Sequence, residues 1–331
     1  MPAHDALPSS APIENWPTVS PAETSWFWAL LLGISMFVGG LLALVIASTS
    51  VVLPYDETFS GLTRAQLAAI NDRLLYFMAH DRVSLAGTMI AVGVLYVQLA
   101  FFGIRRGRCW ARVTVLVSAF AGFGSFFLFL GFGYFDPFHA FVTAILFPLL
   151  LLALHGKLSP PSPQASPSPR HRGRGGQALL VIQGGLLLTA GLVISHIGIT
   201  SVFVPEDLEF MGTTAEALRT ANPRLVPLVA HDRATFGGML LASGLLLLLS
   251  SLWGFRQGVR WLWWAFLTSS LPAYGAAIGV HLAVGYTNAK HLAPAFAGLA
   301  LFSVALALSY PYLCAGENAA REWRERARAI V

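Results

Sequence analysis

The sequence contains few charged residues. Only 11% of its 331 residues are Asp, Glu, Lys or Arg, whereas soluble domains carry roughly 25%. Hydrophobic residues make up 56% of the chain, and the mean hydropathy is +0.65. This composition excludes an ordinary soluble domain and predicts an all-α polytopic membrane protein in a lipid bilayer. Polar segments with interleaved basic and aromatic residues are also lacking, so no nucleic-acid partner is expected.

Cysteine is scarce as well. Cys109 and Cys314 are the only two in the chain, and they do not form a CxxC pair. This excludes a disulfide framework and a cysteine-based metal motif. The nine histidines are therefore the main candidates for binding chemistry.

Eight apolar segments are present, and each is long enough to cross the hydrocarbon core as a helix of about 18–25 residues. They are apolar on all sides, without the alternation expected of strands in a membrane barrel. The segments are 26–49, 83–103, 110–131, 138–155, 178–200, 234–254, 261–283 and 292–313. We therefore predict eight transmembrane helices.

Lys and Arg are distributed unevenly between the loops. Most lie in one set of loops and tails, such as 103–112, 156–177 and the C-terminal tail. Basic residues favour the cytoplasmic side. The distribution predicts a multi-pass protein of the plasma (inner) membrane with both termini in the cytoplasm. The long loops 50–79 and 201–230 would then face outward.

The chain is an internal duplication with an offset of 151 residues. "MAHDRVSLAG" at 78–87 is repeated as "VAHDRATFGG" at 229–238. We predict two parallel four-helix bundles side by side, one for each repeat. The predicted division is a disordered cytoplasmic tail (1–25), repeat one (26–155), a Pro/Ser/Arg cytoplasmic linker (156–177), repeat two (178–315) and a basic cytoplasmic tail (316–331).

Two short segments of the outer loops carry helix-start signals. "TRAQLAAINDRL" at 63–74 opens with the Thr-x-x-Gln pattern of a capping box, and "TAEALRTANP" at 214–223 opens with Thr. Each predicts a short surface helix over the outer mouth of its bundle.

Four histidines recur in the two repeats. His80 and His139 open the second and fourth predicted helices of repeat one, and His231 and His291 do so in repeat two. Helices two and four of a bundle lie across a diagonal. The histidines of one repeat could therefore face each other at one depth and bind a b-type or related haem through two axial imidazoles.

Neighbouring residues suit the same cofactor. Gly87 and Gly238 follow the histidines by seven residues and would leave room for a porphyrin ring. Arg82 and Arg233 could pair with the haem propionates. The alternative is that the His-Asp-Arg run is only a solvated start of a helix.

Repeat two has two further histidines. His196 and His281 lie near the outer ends of the fifth and seventh helices. Together with His231 and His291 they could form a zinc or copper site. His80 and His139 would serve as metal ligands in repeat one.

Three carboxylates are candidates for catalysis. Asp56 and Asp207 follow a proline in the outer loops, where they could act as acid–base groups or simply form solvated turns. Asp232 follows His231 and could accept a hydrogen bond from it.

The stretches "AHDRVSLAGT" and "AHDRATFGGM" resemble the haem A synthase family over roughly residues 25–315. That resemblance implies two four-helix bundles with axial histidines at His80, His139, His231 and His291. The sequence departs from the family at Phe77, where an acidic residue is usual, and in lacking an outer-loop cysteine pair.

The leading hypothesis is a haem-binding membrane redox protein, either an electron carrier or a haem-modifying oxidoreductase. Its partner in electron transfer would be a quinone or another membrane redox protein. Two alternatives stay open: an ion or metal transporter that uses the outer His and Asp clusters, and a noncatalytic membrane subunit or assembly scaffold.

Overall fold

The computed structural model describes residues 25–129, 134–155 and 171–315. The predicted tails and residues 156–170 of the predicted linker lie outside this range. The α-helices of the described residues are α1 (Ser25–Thr49), α2 (Pro54–Ser60), α3 (Arg64–Ile70), α4 (Leu74–Gln98), α5 (Cys109–Phe129), α6 (Pro137–Ala153), α7 (His171–Ile199), α8 (Pro205–Met211), α9 (Ala215–Ala221), α10 (Leu225–Leu249), α11 (Arg260–Val284) and α12 (Ala289–Leu313).

Six of these helices are long and apolar enough to cross a membrane, namely α1, α4, α7, α10, α11 and α12, while α5 and α6 are shorter apolar helices. Large apolar side chains such as Val45, Leu192 and Leu271 are exposed on the outer surface. A protein with such a surface is a membrane protein, because water would not tolerate apolar faces of this extent.

Helices α4 and α10 begin nine residues earlier than the apolar segments 83–103 and 234–254 predicted. The extra residues include the His-Asp-Arg runs, which therefore lie inside each helix and not at its start. Hydropathy places the boundary too late because it counts His80, Asp81 and Arg82 as exposed polar residues. In the structure these residues are largely buried and paired.

The two halves of the chain interlock. Helix α4 packs against α1 of its own half, but also against α10 and α11 of the other half. Helix α10 packs reciprocally against α7 of its own half and against α5 of the first half. The expectation of one self-contained bundle per repeat is therefore corrected: α4 and α10 lie at the centre, and each contributes to packing on both sides.

Small residues permit the closest helix contacts. A side chain at Gly93 on α4 would place its Cβ 2.5 Å from the backbone nitrogen of Phe37 on α1. Gly244 on α10 has the same relation to Leu188 on α7, also at 2.5 Å. Glycine at these positions lets the backbones of membrane helices approach.

We expect Gly93→Val to destabilise the protein by about 1–3 kcal/mol, because the backbone of α1 must move away. Gly185→Val on α7 is the matched control, since a side chain there has no neighbour within 4 Å. The measurement is the free energy of unfolding in detergent. Equal effects of the two variants would contradict the close packing of α1 on α4.

Each long loop folds into two short helices that cover one end of the bundle, which we call the capped end. The predicted surface helices are confirmed as α3 and α9, each with its Thr side chain, Thr63 or Thr214, accepting a hydrogen bond from the first turn. Helices α2 and α8 were not predicted. Their signal is a proline at the first position and a left-handed glycine after the last, Gly61 or Gly212.

The cap also joins the two halves. The amide of Asn71 donates to the carbonyl of Met211 at 2.8 Å, and Asn222 donates to Ser60 at 2.8 Å. Each half thus bonds to the loop of the other through residues at equivalent positions. These reciprocal bonds fix the cap over the ends of α4 and α10.

Candidate functional site

The repeated His-Asp-Arg motif is buried beneath the cap. His80, Asp81, His231, Asp232 and Arg233 are all at most 5% exposed. Buried charges require partners, since an unpaired charge in an apolar interior costs several kcal/mol. The partners come largely from the opposite half of the chain.

Arg82 holds one carboxylate from each half. Its guanidinium donates to Asp56 in the loop of its own half at 2.8 Å and to Asp232 on α10 at 2.8 Å. Asp56 is fully buried and also accepts a hydrogen bond from the hydroxyl of Tyr134. This arrangement neutralises the arginine and attaches the cap to both central helices.

Arg233 repeats the arrangement in the other direction. Its guanidinium donates to Asp207 of its own loop, and its Nε lies 3.4 Å from Asp81 on α4. Asp207 accepts a further hydrogen bond from Tyr286 at 2.8 Å. The Asp of each motif therefore compensates the Arg of the other motif.

The two arginines also hold strained turns. Val51 and Val202 have φ angles of 62° and 65°, a conformation that is rare for β-branched residues. The carbonyl of Val51 accepts from Arg82, and that of Val202 accepts from Arg233. These bonds stabilise a backbone conformation that valine otherwise avoids.

One cluster of imidazoles consists of His80, His281 and His291, the three-histidine cluster. Potential ligand atoms of the three residues lie within 4.8 Å of one another. The Nδ1 of His80 donates to the carbonyl of Phe77 at 2.9 Å, and the Nδ1 of His281 donates to that of Ala277 at 2.5 Å. A carbonyl can only accept, so Nε2 carries the lone pair in both rings. The Nε2 of His281 is buried without a hydrogen-bond partner among the described residues.

His291 is oriented in the same way through Tyr286. The tyrosine ring stacks on His291 with centroids 4.3 Å apart, and its oxygen lies 3.2 Å from Nδ1 of His291. Because the hydroxyl donates its proton to Asp207, it accepts from Nδ1 and leaves Nε2 of His291 as the ligand nitrogen. All three rings are thus held by Nδ1, which makes Nε2 the potential ligand atom of each; Nε2 of His80 also lies 3.5 Å from Oδ1 of Asp81.

The second cluster consists of Asp136, His139 and His231, the Asp-His cluster, and its potential ligand atoms also lie within 4.8 Å of one another. Nδ1 of His139 is 2.8 Å from Nε2 of His231. Asp136 Oδ2 lies 3.1 Å from the first nitrogen and 3.6 Å from the second. Two imidazoles and one carboxylate form the ligand set of many iron and zinc centres.

Asp136 caps the N-terminus of α6 and is negatively charged. Its Oδ1 accepts from the backbone of Phe138 and His139, which leaves Oδ2 to face the histidines. Burial opposes ionisation, but the hydrogen bonds from His139 and His231 outweigh burial and hold the pKa of Asp136 well below its usual value. Asp136 is therefore an anion at neutral pH and available as a ligand.

The two clusters have the same number of potential ligands but differ in the third residue, which is a carboxylate in one and a histidine in the other. Asn288 occupies the position in repeat two that corresponds to Asp136, and it caps α12 with its Oδ1 as Asp136 caps α6. The three-histidine cluster thus lacks the carboxylate but has His281, whose position corresponds to Phe129 in repeat one. Each cluster therefore has three potential ligands, two of which are histidines at repeated positions.

The predicted pairing of the histidines is wrong in one respect. His80 was expected to face His139, and His231 to face His291, each within one repeat. In the structure His80 meets His281 and His291, with ring centroids 4.7 and 5.6 Å apart, and His139 meets His231. The reason is the interlocking of the halves: α4 packs against α11, and α10 packs against α5, the helix before the one that carries His139.

Other assigned residues have different surroundings. His196 is exposed on α7 and belongs to neither cluster. A Cβ at Gly87 would collide with Ala276 on α11, so this glycine serves helix packing and leaves no room for a ring. Gly238 is buried on α10. Asp56, Asp207 and Asp232 are buried in the ion pairs with arginine, where they hold the cap and the central helices together.

Three residues in or beside these clusters were not predicted as site residues: Asp136, Tyr134 and Tyr286. The signal for the tyrosines was present, since both precede a repeated histidine by five residues. Asp136 had no repeated counterpart to draw attention to it. Each tyrosine contacts the motif histidine of the other half. The ring centroids of Tyr134 and His231 are 5.2 Å apart, and those of Tyr286 and His80 are 5.3 Å apart.

These residues do not fit the predicted haem. A porphyrin must lie between its two axial imidazoles, and the contact of 2.8 Å between His139 and His231 leaves no space for it. Arg82 and Arg233 are committed to carboxylates and do not reach out to propionates. The geometry suits a single metal ion in each cluster.

The fold and the clusters define a helical membrane protein with two groups of residues that could hold metal ions. Comparison with protein-family models, curated proteins and solved structures finds no match to this chain.

Proposed function

We propose that the protein is an integral membrane metalloprotein that binds one transition-metal ion in each cluster. The observation that carries the proposal is the three-histidine cluster, in which every Nδ1 is occupied and Nε2 of His281 is buried without a hydrogen-bond partner among the described residues. Building such an arrangement without a metal would leave buried imidazole nitrogens unsatisfied, as His281 is.

Three protein ligands leave a coordination position open. Structural zinc sites are closed by four protein ligands, whereas catalytic sites keep one position for water or substrate. The proposal is therefore a reactive metal centre with an open coordination position, with copper or zinc favoured by three imidazoles and iron or zinc by the Asp-His cluster. Eight helices would cross the membrane, with α5 and α6 completing the set.

We expect the purified full-length chain to bind two metal ions. His231→Ala should reduce this number to one, because it removes a ligand of the Asp-His cluster alone. His196→Ala is the matched control and should retain both ions, since His196 is an exposed histidine outside both clusters. The measurement is metal content by mass spectrometry after dialysis against zinc, copper or iron.

An absorption spectrum of the same sample distinguishes haem from single metal ions. A Soret band with no further bound metal would contradict the proposal and restore the haem hypothesis. Metal content that is the same in both histidine variants would also contradict it.

A further inference from the structure

A partly open cavity of about 80 Å³ lies beside the Asp-His cluster, between α1, α4, α5, α6 and α10. His139 forms part of its wall, so the cavity and the cluster share a side chain. Because it is partly open, the cavity can hold the ring of a molecule whose remainder extends beyond it. A molecule bound there would contact a proposed metal ligand directly.

The walls differ between the two ends of the cavity. Away from His139 they are apolar, with Met36, Met89, Phe123 and Leu146. Methionine and aromatic side chains adapt to flat rings and flexible chains. This part of the cavity suits the hydrocarbon portion of a lipid-soluble molecule.

The end near His139 is polar but carries no fixed positive charge. Thr143 lies one turn after His139 on α6, and its hydroxyl forms no hydrogen bond with any described residue. No Lys or Arg is among the described residues that line the cavity. A phosphate headgroup would therefore lack a counter-charge, whereas a neutral carbonyl or hydroxyl could hydrogen-bond to Thr143 or His139.

Residues at corresponding positions in the other half make polar contacts of their own. Tyr274, at the position equivalent to Phe123, bonds to Gln183 at 2.9 Å. A Cβ at Gly298 would lie 3.1 Å from the hydroxyl of Tyr274 and 3.3 Å from the amide of Gln183.

We propose that this cavity binds a lipid-soluble quinone-type molecule, with its ring oxygens at His139 and Thr143 and its chain along the apolar wall. The inference rests on the proposed function, because the ring would lie beside the metal of the Asp-His cluster. The neutral head, flat ring and apolar tail of a quinone match the three properties of the cavity.

The test uses the full-length protein in nanodiscs and decylubiquinone as the probe, with empty nanodiscs subtracted for partition into lipid. Gly122→Leu extends a side chain into the cavity without a clash, because a Cβ at Gly122 has its nearest neighbour, Ala242, at 3.6 Å. Gly124→Leu is the matched control on the same helix, where a Cβ meets nothing within 4 Å.

We expect saturable binding to the unmodified protein and to Gly124→Leu, and binding at least tenfold weaker to Gly122→Leu. No saturable binding, or equal binding to all three proteins, overturns the inference. Metal content is measured in the same samples. A sample that holds metal but binds no quinone overturns this inference alone, whereas one that binds quinone without any metal overturns the proposed function alone.

Discussion

Replacing Arg82 with methionine should destabilise the protein by about 3–5 kcal/mol, the cost of removing one partner from a buried ion pair. Asp56 and Asp232 would then be left facing each other in the interior at 0% and 4% exposure. The loss is a large part of the roughly 5–15 kcal/mol that stabilises a typical folded domain. The measurement is the unfolding free energy in detergent, followed by tryptophan fluorescence.

Arg219→Met provides the control. Arg219 pairs with Glu216 across 3.9 Å on an exposed face of α9, and such pairs contribute about 0–1 kcal/mol. Adding Asp56→Asn and Asp232→Asn to Arg82→Met should restore part of the stability, because both uncompensated charges disappear. If Arg82→Met were no more harmful than Arg219→Met, the paired arrangement around Arg82 would be refuted.

The second large effect is expected from exchanging ligands between the halves. His281→Ala should release the ion of the three-histidine cluster, leaving one ion per chain. Adding Asn288→Asp should restore the second ion, because the new carboxylate can keep the cap of α12 with one oxygen and, repelled by Glu209 to which the Asn288 amide now donates at 3.3 Å, turn the other to the metal. In the Asp-His cluster Asp136 caps α6 with Oδ1 and directs Oδ2 toward His139.

Metal titration followed by mass spectrometry measures this exchange. Asn288→Asp alone should leave the count at two, and His281→Ala alone should weaken binding at its cluster at least tenfold. Failure of the double variant to bind more tightly than His281→Ala, in a protein that remains folded, would show that the two clusters are not equivalent metal sites.

Much of the fold was predictable because it depends on apolar length. All six membrane-length helices overlap predicted segments, and the capping signals at Thr63 and Thr214 located α3 and α9. The starts of α4 and α10 were predicted too late, because hydropathy scores Arg82 as an exposed charge whereas carboxylates neutralise it in the interior. The packing of α4 on α11 was also beyond the sequence, because a repeat of 151 residues is compatible with separate or interlocked halves.

The site was predictable only in part. The repeated histidines marked the right residues, and His281 joins them in a cluster. Their partners could not be assigned, because each histidine meets residues more than 90 positions away in sequence. Asp136 could not be predicted for a different reason. It caps the N-terminus of α6, and the equivalent residue of the second half is Asn288, so no repeated carboxylate marks the position.

The crossing of aspartates and arginines between the halves has a consequence for how the chain is made. While only the first half has entered the bilayer, Arg82 lacks Asp232 and Asp81 lacks Arg233. His80 likewise lacks the other two histidines of its cluster. Each half alone therefore contains buried charges without all of their partners. A truncated product would be a substrate for proteolysis. Two separately translated halves would accumulate only when produced together. An ancestor half this length would have needed a second copy of itself.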